Sequence, residues 1–304
     1  MYWALSFYYK MDNWKSLRDV TMFFLNDEKM VINMLIEKKL LKQLTKCSKC
    51  RVPQVLRRHQ SFKGNFGAFC KKCKKYWKLT KNTFFDNMGV SFEMVMSILW
   101  CWCSHLSVQA TKNILHDVTL NTIAHYFRYF RGICSFKLMS RPPMELGGEG
   151  HVVQIDESLI AKAKRGQPVP QQWVLGMFDT TSQRGLIQFV EERNADCTLI
   201  ELIQKHVIPG STIRLYSWRP YSRLKDLGYE HYINHSVEDG TCTYHVESYW
   251  AKLKKYCRKV DVLQSDIIKE YTDEFIWRKE YCKTKEPHTI FNVFLDHLRE
   301  TYPV

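Results

Sequence analysis

Four cysteines stand in the pattern C-x2-C-x19-C-x2-C: Cys47 and Cys50, then Cys70 and Cys73. Thiolates are soft ligands. Two such pairs can meet at one tetrahedral zinc, each sulfur about 2.3 Å from the metal. The spacing predicts one structural zinc per chain rather than four unrelated buried thiols. The other seven cysteines show no paired spacing and read as buried, reduced thiols. A second constellation is acidic. Asp156 falls at the end of the strand-like run His151-Val-Val-Gln-Ile-Asp-Glu157, and Glu247 lies in the helical run Val246–Lys255. Carboxylates from a strand end, a second strand and a helix can hold two divalent metal ions. Those ions activate a water or a 3′-hydroxyl and stabilise the leaving oxygen in phosphodiester transfer. An Asp at a strand end also serves as a cap or turn residue, so this reading depends on the surrounding elements.

Those elements follow from periodicity and turn residues. Arg51–Phe69, between the cysteine pairs, contains Gly64 and Gly67 and suits a hairpin. Apolar residues at three-and-four spacing predict a packing helix over 19–44. Beyond the ribbon, 91–105, about 108–115 and 119–131 read as helices, with a turn near His116-Asp117. This pattern resembles a helix-turn-helix whose last helix enters a major groove with Arg128 and Arg131 on one edge. A plain helical bundle has the same periodicity. Gly132, Arg141-Pro-Pro143 and Gly147-Gly-Glu-Gly150 mark a linker. Strands over 151–157, 172–179 and 185–190, a helix over 198–206, a strand over 212–216 and later helices then predict an α/β domain. The expected organisation is a helical segment (1–45), a zinc ribbon (46–80), a helix-turn-helix-like region (88–140) and the α/β domain (151–304).

Charge placement names a partner. Residues 41–80 hold twelve basic and no acidic side chains, whereas residues 151–304 hold 21 of each. Twelve of the fourteen net positive charges therefore come from forty residues. So one-sided a block repels itself unless a polyanion neutralises it, and nucleic acid is the expected polyanion. Lys71, Lys72, Lys74, Lys75 and Lys78, with Tyr76 and Trp77, put that expectation on the ribbon. No apolar stretch is long enough to span a bilayer, and residues 1–10 do not read as a signal peptide. A membrane or secreted protein is not expected.

At these residues the chain resembles the transposases of Merlin DNA transposons and their bacterial insertion-sequence relatives of the ISXO type. The resemblance takes in the leading helix and ribbon, Val153–Glu157, His206–Ser211, Trp218–Tyr221, Gly228–Ser236, Val246–Trp250 and Tyr271–Arg278. It implies a ribonuclease-H-like fold in the C-terminal domain and a D-D-E triad that uses magnesium to cut and rejoin DNA. It also implies a ribbon that helps recognise DNA, and it allows a homodimer. With DNA as partner and a eukaryotic-type resemblance, the expected location is nuclear, otherwise cytoplasmic. The first ten residues match nothing in the family pattern, which makes Met11 an alternative start.

Carried over residue by residue, the first acid of the triad is Asp156 and the third is Glu247. The second should stand two residues before Trp218, where this chain has Tyr216. A neutral phenol does not replace a bridging carboxylate, since magnesium takes hard anionic oxygen. The family's common His, five residues before the Glu, is Cys242 here. Asp226 and Asp239 lie near in sequence, though neither is at a matching position. Three functions compete. One is a transposase-derived DNA-binding protein that no longer cuts. Another is an active transposase or nuclease with a displaced acid and bound magnesium. The third is a zinc-ribbon module for RNA or protein.

Overall fold

The computed structural model describes residues 14–86, 88–161, 172–190, 196–216, 224–234, 244–258, 265–282, 284 and 286–304. They form two compact units, one of residues up to Lys137 together with Tyr281–Val304, the other of Leu138–Glu280.

The first unit opens with α1 (Leu17–Phe24) and α2 (Glu28–Glu37). The single helix expected over 19–44 is broken here, because the residues at the break cap both ends. Asn26 Nδ2 donates to the carbonyls of Met22 and Phe23. Asp27 accepts from the backbone N–H groups of Lys29 and Met30. The ribbon follows as a three-stranded antiparallel sheet, β1 (Val55–Arg58), β2 (Phe66–Cys70) and β3 (Lys75–Trp77). Next come α3 (Phe92–Cys103), α4 (Val108–Ile114) and α5 (Leu120–Met139). Ser91 caps α3 by accepting from Met94 N at 3.1 Å. Almost all of α3 is buried, as its all-round apolar sequence requires.

The last helix of the chain, α9 (Pro287–Thr301), belongs to this unit. Phe291 packs on Trp14 and Trp100, and Phe294 on Trp102 and Phe130, at centroid distances of 5.1–5.5 Å. The sequence reading assigned residues 281–304 to the C-terminal domain. Their aromatic face instead completes the core around α3.

The second unit is built on a five-stranded sheet of β5 (Val152–Ala161), β6 (Gln172–Asp179), β7 (Arg184–Val190), β9 (Thr212–Tyr216) and β10 (Glu230–Asn234). The spatial order is β10-β9-β5-β6-β7. β5, β6 and β7 form an antiparallel meander, while β9 runs parallel to β5 and β10 parallel to β9. This is the strand order of a ribonuclease-H-like domain, so the mixed α/β expectation holds. Strand β10 went unnoticed in the sequence because its residues are largely polar. A small parallel pair, β4 (Leu146–Gly147) and β8 (Val207–Ile208), completes the strands.

Alternation along β5 divides the unit into two cores. Val153 and Ile155 join Leu175, Met177 and the residues Leu199 and Ile203 of α6 (Asp196–His206) on one face. Val174, Phe178 and Ile187 on the other face pack against Val246, Tyr249, Trp250 and Leu253 of α7 (Tyr244–Arg258) and Phe275 and Ile276 of α8 (Ser265–Tyr281). Gln154, Asp156 and Ser158 fall on this second face.

Candidate metal centres and nucleic-acid interface

The four ribbon cysteines come together. Their sulfurs lie within 4.8 Å of one another, with Cys47 to Cys73 at 3.8 Å and Cys50 to Cys70 at 3.4 Å. Sulfurs bound tetrahedrally at about 2.3 Å from zinc stand about 3.8 Å apart, so the cluster can hold one zinc ion. Each knuckle turns through a left-handed residue directly after its second cysteine, Arg51 at φ 61° and Lys74 at φ 54°. Burial pushes the Cys47 thiol up, but the backbone N–H groups of Cys50 and Lys49 outweigh it and bring the pKa down to about 7. Lys71, Lys72 and Lys74 occupy the turn between β2 and β3, with Lys75 and Lys78 following, and all five are exposed. Arg57 lies over the Phe69 ring at 4.5 Å.

Of the two arginines assigned to the helix-turn-helix edge, Arg128 is exposed on α5, but Arg131 is 6% exposed. Arg131 falls on the side of α5 that carries Phe127, Phe130 and Cys134 into the core, so it offers no surface to DNA.

In the second unit α7 is fastened alongside β5. Gln154 Oε1 accepts the backbone N–H groups of His245 and Val246 at 3.0 and 3.1 Å, occupying the N-terminus of the helix. Two residues on is Asp156, then Ser158, whose Oγ accepts from Lys254 Nζ at 2.7 Å. Between these fastenings Asp156 lies close enough to Glu247 to feel its charge. Burial pushes the Asp156 carboxyl up to about 6, and the negative charges of Glu157 and Glu247 push the same way. The indole N–H of Trp250, one turn after Glu247, offsets part of the rise. It completes no hydrogen bond of normal geometry among the described residues. Glu247 is exposed in the first turn of α7, where the helix dipole favours its charge.

The parallel register brings in the second position of the triad pattern. Ile155 pairs with Leu215, so position 216, the last of β9, is the neighbour of Asp156 along the sheet. Among the described residues the only group of three or more His, Cys, Asp or Glu side chains that can share a metal is the ribbon cluster. Asp226 is exposed and makes no such group with the two acids. Trp218, Asp239 and Cys242 lie outside the described residues. Among the described residues Asp156 and Glu247 supply two of the three carboxylates that a magnesium pair takes, and those residues alone do not fit two-metal chemistry.

Asp179, at the end of β6, faces away from this site. Burial pushes its pKa upward, but His151, the Ser182 amide and the Gly147 amide prevail and hold it at about 2. His151 Nδ1 stands 2.8 Å from Oδ2, and the Thr181 and Ser182 amides donate to Oδ1. Asp179 therefore secures the β6–β7 hairpin. The sequence does not single out Gln154, Ser158 or Lys254, and it marks Trp250 only as an apolar residue of the helix that carries Glu247. The one local signal was the two-residue spacing of Gln154, Asp156 and Ser158 on a strand.

This order of strands, with Asp156 on the central strand and Glu247 on α7, is compatible with a transposase- or integrase-like DDE domain. Residues 146–280 match the family model of the ISXO2-like transposase domain. No curated protein matches the sequence. Among solved structures, the catalytic core domain of BIV integrase is similar at 14% identity, over 44% of this chain and 85% of that one, with a TM-score of 0.30. The HTLV-2 integrase catalytic core domain in complex with magnesium is similar at 13% identity, over 44% and 86%, with a TM-score of 0.30. A chain of the simian T-cell lymphotropic virus intasome in complex with PP2A regulatory subunit B56 gamma is similar at 16% identity, over 62% and 69%, with a TM-score of 0.32. Among the described residues no helix is long and apolar enough to cross a membrane.

Proposed function

We propose that this chain is a transposase-derived DNA-binding protein that keeps the DDE fold and does not cut DNA. The single observation carrying this reading is the β5–β9 register, which makes Tyr216 the neighbour of Asp156 where the triad requires a second carboxylate. Two-metal catalysis holds both ions between shared oxygens, so loss of the middle donor removes most of the metal-dependent rate. DNA binding rests on the exposed lysines of the ribbon, folded around one structural zinc on Cys47, Cys50, Cys70 and Cys73, with Arg128 as a further contact. DNA as the partner, together with the eukaryotic-type resemblance, supports a nuclear location, otherwise a cytoplasmic one.

The test is a cleavage assay with terminal-repeat DNA in magnesium or manganese, on the native chain and on Tyr216→Asp. The expected result is no cutting by the native chain and cutting by the variant. Robust cutting by the native chain overturns the inactive reading and points to a displaced acid.

A further inference from the structure

The first unit contains a recess of about 530 Å3 that neither the ribbon nor the acid pair uses. Its walls come from the segment before α3, which contributes Phe84 and Asp86, from the first three turns of α5, which contribute Asn121, His125 and Tyr129, and from Tyr302. His125 and Tyr129 meet edge-on at 4.5 Å, and Phe84 meets Tyr302 edge-on at 5.8 Å. Tyr129 is 47% exposed, so its ring is open to a ligand. Among the described residues no lysine or arginine lines the recess.

We propose that this recess takes a single unstacked nucleobase of DNA, guanine in preference to the others; the inference rests on the DNA-binding reading above. The chemistry of the walls selects the ligand. Flat aromatic rings offer stacking faces, which every base can use. A recess with a carboxylate and no cation repels phosphate. The same carboxylate accepts N–H bonds from a base edge, and guanine presents two N–H donors side by side on its Watson–Crick edge. Asp86 already accepts the Asn82 amide at 2.9 Å through Oδ2, which holds the carboxylate in place. The backbone of the flipped nucleotide stays outside. Asn121, His125 and Arg128 follow one another at i, i+4 and i+7 on α5, so an exposed cation continues the stripe beyond the recess. Reading an extruded base by stacking and its Watson–Crick edge is a general solution for proteins that engage one base of a duplex.

The experiment measures binding of the full zinc-loaded chain to four duplexes by fluorescence anisotropy: fully paired, with one bulged guanine, with one bulged thymine and with one abasic bulge. The bulged-guanine duplex is expected to bind about ten-fold tighter than the paired one. Tyr129→Ala should abolish that preference and leave paired-duplex affinity unchanged, while Tyr129→Phe, which keeps the ring, should retain it. Asp86→Asn should remove the advantage of guanine over thymine. Equal binding of all four duplexes overturns this inference alone. So does an abasic bulge that binds as well as the guanine bulge, or a preference that survives both Tyr129→Ala and Asp86→Asn. Absence of binding to every duplex overturns the DNA-binding reading and this inference with it.

Discussion

Gly176 lies directly under the indole of Trp250, and a Cβ built on the glycine would stand 2.2 Å from the ring. Gly176 is also the β6 partner of Asp156, so the missing side chain is what lets α7 approach the strand that carries the first acid. Gly176→Ala should force α7 outward and destabilise the second unit by about 1–3 kcal/mol, read from urea unfolding of the purified chain. A variant as stable as the native chain would mean that the helix does not depend on this close approach.

Gln154 should contribute through the two backbone N–H groups it accepts at the start of α7. Gln154→Leu keeps the volume and removes the acceptor. The expected loss is about 1–2 kcal/mol, with faster amide exchange at His245 and Val246.

Asp179 makes stability depend on acid. Its pKa is held down to about 2 in the folded chain, below the ordinary 3.8, so the folded state prefers the charged form. That contribution is fully present above pH 4 and disappears as pH falls from about 4 to 2. Linkage puts it at about 2 kcal/mol. Asp179→Asn should lower the melting temperature at pH 7, and the difference from the native chain should shrink steadily toward pH 2.

Zinc should be the ribbon's main source of stability, since so small a module buries little apolar surface. Metal analysis should return one zinc per chain, lost in the double variant Cys70→Ser, Cys73→Ser. Arg51 adopts a left-handed conformation at φ 61° that glycine takes without a Cβ clash. Arg51→Gly should therefore leave the ribbon as stable as before or up to about 1 kcal/mol more stable.

DNA affinity should fall steeply with salt. Neutralising Lys71, Lys72, Lys74 and Lys75 together should lower the slope of log K against log salt by about 3 to 4. An unchanged slope would place the contacts elsewhere.

The chemistry-bearing positions were legible because their signals are local. Two C-x2-C pairs announce a shared metal through spacing alone, and the alternation of 151–157 announces a strand with Asp156 on it. The break between α1 and α2 was local too, written in Asn26 and Asp27, but the apolar periodicity masked it. The burial of Arg131 was harder to see, because three residues along a helix can separate a surface from a core, and only the packed neighbours decide which.

By itself the order of residues determined which side chains are present for chemistry and which short segments carry them: four thiols in paired spacing, two acids, and a tyrosine where the family pattern has its second acid. Tertiary structure alone decided that position 216 neighbours Asp156 and that Gln154 receives the start of α7 across some ninety residues of chain. It likewise decided that the last helix closes the core of the first unit. The physical reason is that spacing constrains atoms a few residues apart, whereas strand register and helix docking are set by how two apolar faces bury each other across the whole fold.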